Sequence, residues 1–298
     1  MRQVTFEPTS VTAFDLYEFG DGRGPVVMIT AGIHGDEQTA IHAARLLVQR
    51  LGEEPVHGKV KVVPVANPAS FRNRTRTSPF DQLDLNRVFP GSPAGSQTLQ
   101  LAHRLWEEAQ EAEYIVDLHC AGWGSVPYTL ALYQEFPAMR EVAIALGIPV
   151  VVQSNGTRGQ LFVEACHAGR KALIIELPGG QPGGFVDVAA AQMACEAVQN
   201  LLRFIGVLEG EPTRSDVVFY GRIQVLEAPG PGLFLPSVRP GAVVDEGTVL
   251  GHFEGEPVRA PFAGVAVSVS LPRYCFAGER MVGIAPLVRN GIGGGAVA

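Results

Sequence analysis

Apolar and polar positions follow two different patterns along the chain, and the change comes near residue 210. Before it, short apolar runs rich in β-branched residues alternate with longer stretches of helical spacing, as strands and helices do in an α/β layer. Pro25 to Ala31 reads as a buried strand, and Thr39 to Arg50 as the helix that follows it. The alternation continues with strands over 58–66, 114–120, 148–153 and 171–177 and helices over 98–112, 136–146, 161–168 and 186–204. Residues 3–19 read as two short strands around a Pro8-Thr9-Ser10 turn. Residues 70–81 carry neither period and are expected to form a long loop, which compact domains keep for function or leave disordered. The pattern predicts an α/β domain with a mixed, mostly parallel sheet covered by helices on both faces.

Beyond residue 210 helical spacing stops, and Gly and Pro punctuate short β-like runs such as Gly232–Leu235, Gly264–Val269 and Arg280–Ile284. A smaller all-β domain is expected there. The expected boundaries are 1–210 for the first domain and 211–298 for the second, with no low-complexity linker and the two packed together. The Gly-rich tail from Gly291 is expected to fray.

Composition narrows the function classes. The 298 residues are 46% hydrophobic and 18% charged, with a net charge of −7 and no basic stripe. Nucleic acid is therefore not an expected partner, since phosphate contact needs clustered Lys and Arg. No apolar run approaches the ~20 residues needed to cross a bilayer, so no membrane partner is expected. The N-terminus lacks a signal peptide's apolar region, which makes a cytoplasmic protein the expectation. Cys120, Cys166, Cys195 and Cys275 show no Cys-x-x-Cys spacing and are expected to be reduced thiols. The sequence is compatible with a homo-oligomer.

Polar residues stand at three strand ends where apolar ones would continue: His34 with Glu37, His119, and Glu176. Each precedes a Gly-rich break, so all would lie at one edge of a parallel sheet, where α/β ligands bind. Two imidazoles, one carboxylate and an open position suit a catalytic Zn²⁺, which lowers the pKa of water toward ~7 and polarises a carbonyl. Glu176, ending an apolar strand, is the candidate for the second carboxylate that moves the proton. Asp117 shares a strand face with His119, while Leu118 and Cys120 take the other. Asp84 has two readings, a carboxylate orienting a ligating imidazole or a cap on its own turn. Arg72, Arg74, Arg76 and Arg87 gather guanidiniums that grip a carboxylate or an oxyanion, which suggests a small anionic substrate. His42, His57, His103, His167 and His252 read as helix-face or loop residues, and Trp123 either lines the site or packs.

Four motifs, Gly32-Ile-His34-Gly-Asp-Glu37, Asp84-Leu-Asn86-Arg87-Val-Phe-Pro-Gly91, Asp117-Leu-His119 and Ile175-Glu176-Leu-Pro-Gly-Gly180, occur in the order of the succinylglutamate desuccinylase/aspartoacylase family. Over roughly residues 20–210 the chain resembles that family, a branch of the zinc carboxypeptidase superfamily. The resemblance implies a zinc carboxypeptidase-like fold with one Zn²⁺ per chain held by His34, Glu37 and His119. It implies Glu176 as base and then acid, Asn86 and Arg87 on a substrate carboxylate, and an Arg upstream, best matched by Arg76, on the carbonyl oxygen. Arg158, in Gly-Thr-Arg-Gly, is a further candidate for contact with substrate.

The C-terminal part is similar to the β domain of the same family, which has a biotinyl/lipoyl-like barrel look. No lysine follows Lys171, so covalent attachment of biotin or lipoate is excluded, and the domain is expected to shape or cover the active-site mouth. The expected function is zinc-dependent hydrolysis of the amide of a small N-acyl amino acid or similar carboxylate-bearing amide. The rivals are a metallocarboxypeptidase acting on peptides, a non-haem Fe(II) oxygenase using the same triad, and a non-catalytic binding protein.

Overall fold

The computed structural model describes residues 2–5, 12–180 and 184–288. The expected Pro8-Thr9-Ser10 turn and the tail from Gly291 lie outside the described residues. The chain divides into two compact units, Met1–Val217 and Val218–Ala298.

In the first unit the strands are β1 (Arg2–Thr5), β2 (Asp15–Phe19), β3 (Val26–Ala31), β4 (Lys59–Val63), β5 (Tyr114–Gly122), β6 (Tyr128–Ala131), β7 (Val150–Gln153), β8 (Lys171–Gly180) and β9 (Phe185–Val186). The helices are α1 (Gln38–Leu51), α2 (Pro68–Asn73), α3 (Gln97–Ala109), α4 (Met139–Leu146), α5 (Leu161–His167) and α6 (Val188–Phe204). Sheet order is β1-β2-β4-β3-β5-β8-β6-β7, with β9 on β8. The central pairs β4–β3, β3–β5 and β5–β8 are parallel, and antiparallel pairs lie to either side of them.

In β3 and β5 burial runs on without alternation: Val27 to Ala31 and Ile115 to His119 are each at most 2% exposed. A strand buried on both sides is covered on both sides, which is why these segments read as unbroken apolar runs. The polar residues in them mark something other than packing. Lys61, on the neighbouring β4, is a buried polar residue with a structural role: its side chain meets Glu108 of α3 at 2.7 Å and Glu111 at 2.9 Å.

The expected loop over residues 70–81 is not all loop. Its first residues belong to α2, six residues long, in which Asn67 accepts a hydrogen bond from Ser70 N at 3.1 Å and Pro68 opens the first turn. Arg74 closes α2 in a left-handed conformation at φ 53°. A helix this short is fixed by its caps and shows no period. The strand β6 was also hidden, being four residues long and without strict alternation.

Asp81 holds the start of α3 from outside the helix. Its carboxylate accepts from Ser96 Oγ, Thr98 N and Thr98 Oγ1 at 2.7, 2.9 and 2.7 Å. Partial burial favours the neutral acid, but these donors outweigh it and bring the pKa from 3.8 to about 2. The folded-state value lies below the ordinary one, so the stabilisation is present above pH 3.8 and is lost as pH falls through about 2. Asp81→Ala should cost about 1–2 kcal/mol in urea unfolding at pH 7, as lost helix caps do, with the gap to wild type closing in strong acid.

The second unit opens with β10 (Val218–Tyr220) and then forms two antiparallel four-stranded sheets. One has β11 (Gln224–Glu227), β18 (Arg280–Pro286), β16 (Gly264–Val269) and β13 (Val243–Val244) in that order. The other has β15 (Glu256–Arg259), β14 (Val249–Phe253), β12 (Gly232–Pro236) and β17 (Arg273–Cys275). Phe234 and Leu250 from the second sheet share one apolar core with Ala266, Val269, Val282 and Ile284 from the first. No helix among the described residues is long and apolar enough to cross a membrane.

Candidate functional site

The chain leaves β3 toward β4 on one side, while β5 pairs with β3 on the other. That is a switch point of an α/β sheet, where a crevice opens beyond the carboxyl ends of the strands. His34 and Glu37 lie in the turn between β3 and α1, and His119 lies in β5 near its carboxyl end. Glu176 on β8 is in register with His119.

The turn is held close by glycine. A Cβ on Gly35 would stand 1.9 Å from the Ser70 carbonyl carbon, and Gly35 N donates to Thr75 O at 2.9 Å. Only hydrogen fits there, so α2 and the strand-to-helix turn meet backbone to backbone beside His34. Glu37 directly precedes α1, so its position is set by the helix as much as by the turn.

His34, Glu37 and His119 are all buried, and one donor atom from each lies within 4.8 Å of the others. Glu37 stands between the two imidazoles, with Oε1 2.7 Å from His34 Nδ1 and Oε2 2.9 Å from His119 Nδ1. The far ring nitrogens are each held by another carboxylate. Asp84 Oδ1 is 3.0 Å from His34 Nε2, and Asp117 Oδ2 is 2.8 Å from His119 Nε2. Thr30 Oγ1 donates to Asp117 Oδ1 at 2.6 Å, and Asp117 is fully buried.

The electrostatics follow from this arrangement. Burial opposes charge on His119, but Asp117 and Glu37 more than offset it and lift its pKa well above the ordinary imidazole value. His34 is raised for the same reason, with Glu37 and Asp84 outweighing burial. Burial favours neutral Glu37, yet the imidazoles hold its carboxyl well below the usual range. The group is therefore built to hold positive charge. Two imidazoles and a carboxylate with Nδ1 atoms turned inward, each ring braced through Nε2, form a donor set that fits zinc.

Glu176 is different. It is partly buried and, among the described residues, has no hydrogen-bond or ion-pair partner. Burial is the largest influence on it, and its pKa rises from 4.5 to about 7.

The remaining candidates separate by placement. Arg76 joins the group: Nε and Nη2 lie 3.0 and 2.9 Å from Asp84 Oδ2, and Nη1 lies 3.5 Å from His34 Nδ1. Arg72 and Arg74 are exposed and, among the described residues, make no bond to it. Asp84 touches both an imidazole and its own turn, since Oδ1 also accepts from Asn86 N at 2.8 Å and caps the turn Leu85–Arg87. These contacts hold its carboxyl well below the ordinary range, against its burial. Asn86 places Nδ2 3.3 Å from His119 Nε2 and accepts from Leu161 N at 3.0 Å. Arg87 is exposed, with Nη1 donating to the Asn86 carbonyl at 2.7 Å. Arg158 is bound to Glu164 by two bonds of 2.7 and 2.6 Å. Trp123 is 45% exposed and meets Phe185 edge-on at 4.9 Å.

Sequence reasoning placed Asp117 beside His119 but gave it no task, and it passed over Thr30 and Glu164. Two-residue spacing from a candidate ligand on a buried strand was the available signal for Asp117. Thr30 and Glu164 gave none, because their partners are 87 and 6 residues away in contexts that look like ordinary strand and helix.

A family model described as the succinylglutamate desuccinylase/aspartoacylase catalytic domain matches residues 23–205. Among curated relatives, N-alpha-acetyl-L-2,4-diaminobutyric acid deacetylase of Halomonas elongata is 30% identical over 198 residues, covering 64% of this chain and 57% of that protein. Succinylglutamate desuccinylase of Serratia proteamaculans is 27% identical over 211 residues, covering 64% of this chain and 61% of that protein. The matched stretch thus spans less than two thirds of these relatives' own lengths. Among solved structures, a succinylglutamate desuccinylase/aspartoacylase from Rhodobacter sphaeroides superposes with a TM-score of 0.82 at 28% identity, covering 93% of this chain and 90% of that one. A product-bound ectoine utilization protein from Ruegeria pomeroyi gives 0.80 at 27% identity, covering 92% and 89%.

Proposed function

Because the chain belongs to the succinylglutamate desuccinylase/aspartoacylase family, we propose that it is a cytoplasmic zinc-dependent amidohydrolase that removes the acyl group from a small N-acyl amino acid. The observation that carries this reading is the convergence of His34 and His119 on Glu37, with Glu176, which makes no hydrogen bond among the described residues, in register beside His119. His34, Glu37 and His119 would hold the ion. When bound, zinc supplies Lewis acidity to water and to the scissile carbonyl.

The chain's own groups then carry the proton and the substrate. Glu176 takes a proton from the attacking water, keeps it on its carboxyl group and gives it to the amide nitrogen as the C–N bond breaks. Burial shifts this carboxyl upward, the direction suited to a group that both takes and returns a proton. Arg76, braced by Asp84, stabilises charge growing on the carbonyl oxygen. Arg87, anchored on the Asn86 carbonyl, binds the substrate carboxylate and fixes the amide for attack. Asn86 keeps that segment against His119.

Asp117 and Asp84 orient the two imidazoles. Asp117→Asn should weaken zinc binding about 10–100-fold, the usual effect of losing a ligand's outer partner, with the circular dichroism spectrum unchanged. Competition with a chromophoric chelator measures it.

The test of the reading is a hydrolysis screen of N-acetyl and N-succinyl amino acids, with peptides alongside, on zinc-loaded protein. Release of free amino acid from an acyl amino acid supports it. If every acyl amino acid is inert while peptides lose C-terminal residues, the protein is a metallocarboxypeptidase.

A further inference from the structure

Two guanidiniums lie on adjoining backbone next to the ligand group, and only one of them is uncommitted. The turn carrying Arg158 is clamped to the segment carrying Arg87. Phe89 N donates to Gly159 O at 3.0 Å, and Leu161 N donates to Asn86 Oδ1 at 3.0 Å. Gly159 lies so close that a Cβ there would stand 2.2 Å from Arg87 O. Asn86 in turn reaches His119 Nε2 at 3.3 Å, so this paired segment borders the site itself.

Glu164, in α5, takes the Arg158 guanidinium in a two-point fork at 2.7 and 2.6 Å and also accepts from Gly159 N at 2.8 Å. The Glu164 side chain is 10% exposed and that of Arg158 is 65% exposed. The carboxylate is thus the fixed, buried partner, and the guanidinium folds back onto it. Arg76 is also paired with a carboxylate, its Nε and Nη2 both meeting Asp84 Oδ2. Arg87 bonds only a backbone carbonyl and meets no carboxylate among the described residues.

We propose that Glu164 sets the charge of the substrate. By occupying Arg158 it leaves Arg87 as the single free guanidinium of the three, so the chain selects amides bearing one carboxylate and an uncharged acyl group. N-succinyl and other dicarboxylate amides are disfavoured. A second carboxylate entering the site must be paired as it leaves water. To gain Arg158 it must displace Glu164, which would then be left buried without its partner. This inference rests on the deacylase reading and names its substrate class; Glu164 acts through Arg158 and is a positioning residue.

The experiment measures kcat/KM for N-acetyl and N-succinyl derivatives of the same amino acids with zinc-loaded wild type, Glu164→Gln and the double variant Arg158→Gln/Glu164→Gln. Wild type should favour the acetyl substrate by about tenfold or more, the scale of a lost charge-assisted pair. Glu164→Gln should raise the succinyl-to-acetyl ratio by about tenfold, mainly through KM, and the double variant should return it to the wild-type value. A ratio within one protein is insensitive to a general fall in activity from imperfect folding. A wild type that cleaves both classes equally, a Glu164→Gln ratio that does not move, or a gain that survives loss of Arg158 overturns the inference alone. A wild type that cleaves neither class and trims peptides overturns the deacylase reading, and this inference with it.

Discussion

Glu176→Gln should lower kcat for amide hydrolysis by about 10²- to 10⁴-fold, the range for removing a positioned general acid–base. Zinc content should stay at the wild-type level, because Glu176 is outside the donor set. The amide keeps the shape of the side chain and loses only its ability to carry the proton. A non-catalytic binding protein would show no effect on its ligand affinity from this change, so the pairing of lost turnover with retained substrate binding is diagnostic.

The metal-free protein gives a second, independent readout of the same residue. Burial raises the Glu176 pKa from 4.5 to about 7. A carboxyl raised on folding binds its proton more tightly in the native state, so the native state loses relative stability as pH rises from 4.5 through about 7. Melting temperatures of metal-free wild type should therefore fall against those of metal-free Glu176→Gln across that interval and run parallel above it. Curves that stay parallel throughout would show that the carboxyl titrates in its ordinary range.

Glu37→Gln removes the charge on which both imidazoles converge. Chelation should abolish wild-type activity, and added zinc should restore it. The variant should not be restored, with zinc affinity reduced by more than the 10–100-fold typical of outer partners. In the metal-free state the same substitution is also destabilising at neutral pH. Glu37 is held below its ordinary 4.5, so its contribution is present above that value and fades on acidification. The raised imidazoles contribute at low pH and lose their part as pH rises past them. The stability gap between wild type and variant should thus be widest between these limits. A variant that binds zinc as tightly as wild type would remove Glu37 from the donor set.

The central strands were legible because burial on both faces leaves a sequence little room for polar residues that lack a partner. His119 and Glu176 stood out against Ile115–Val116 and Leu173–Ile175 for that reason. The segment from residue 67 to 87 was much less legible. α2 is set by one Asn cap, a proline and a close backbone contact with Gly35, none of which leaves a periodic trace. Arg72, Arg74 and Arg76 look alike in sequence, and only Arg76 reaches Asp84.

The sequence by itself determined the alternation of strands and helices, the shift to β-rich composition near residue 210, and the identity of the polar residues at the strand ends. These depend on local periodicity and on the cost of burying polar groups, both of which are written residue by residue. Tertiary structure alone decided which nitrogen of each imidazole faces Glu37, which carboxylate braces it, and which arginine is already paired. Those outcomes depend on side chains tens of residues apart reaching a common point, as Thr30 reaches Asp117 across 87 residues. Sequence spacing carries no record of that geometry.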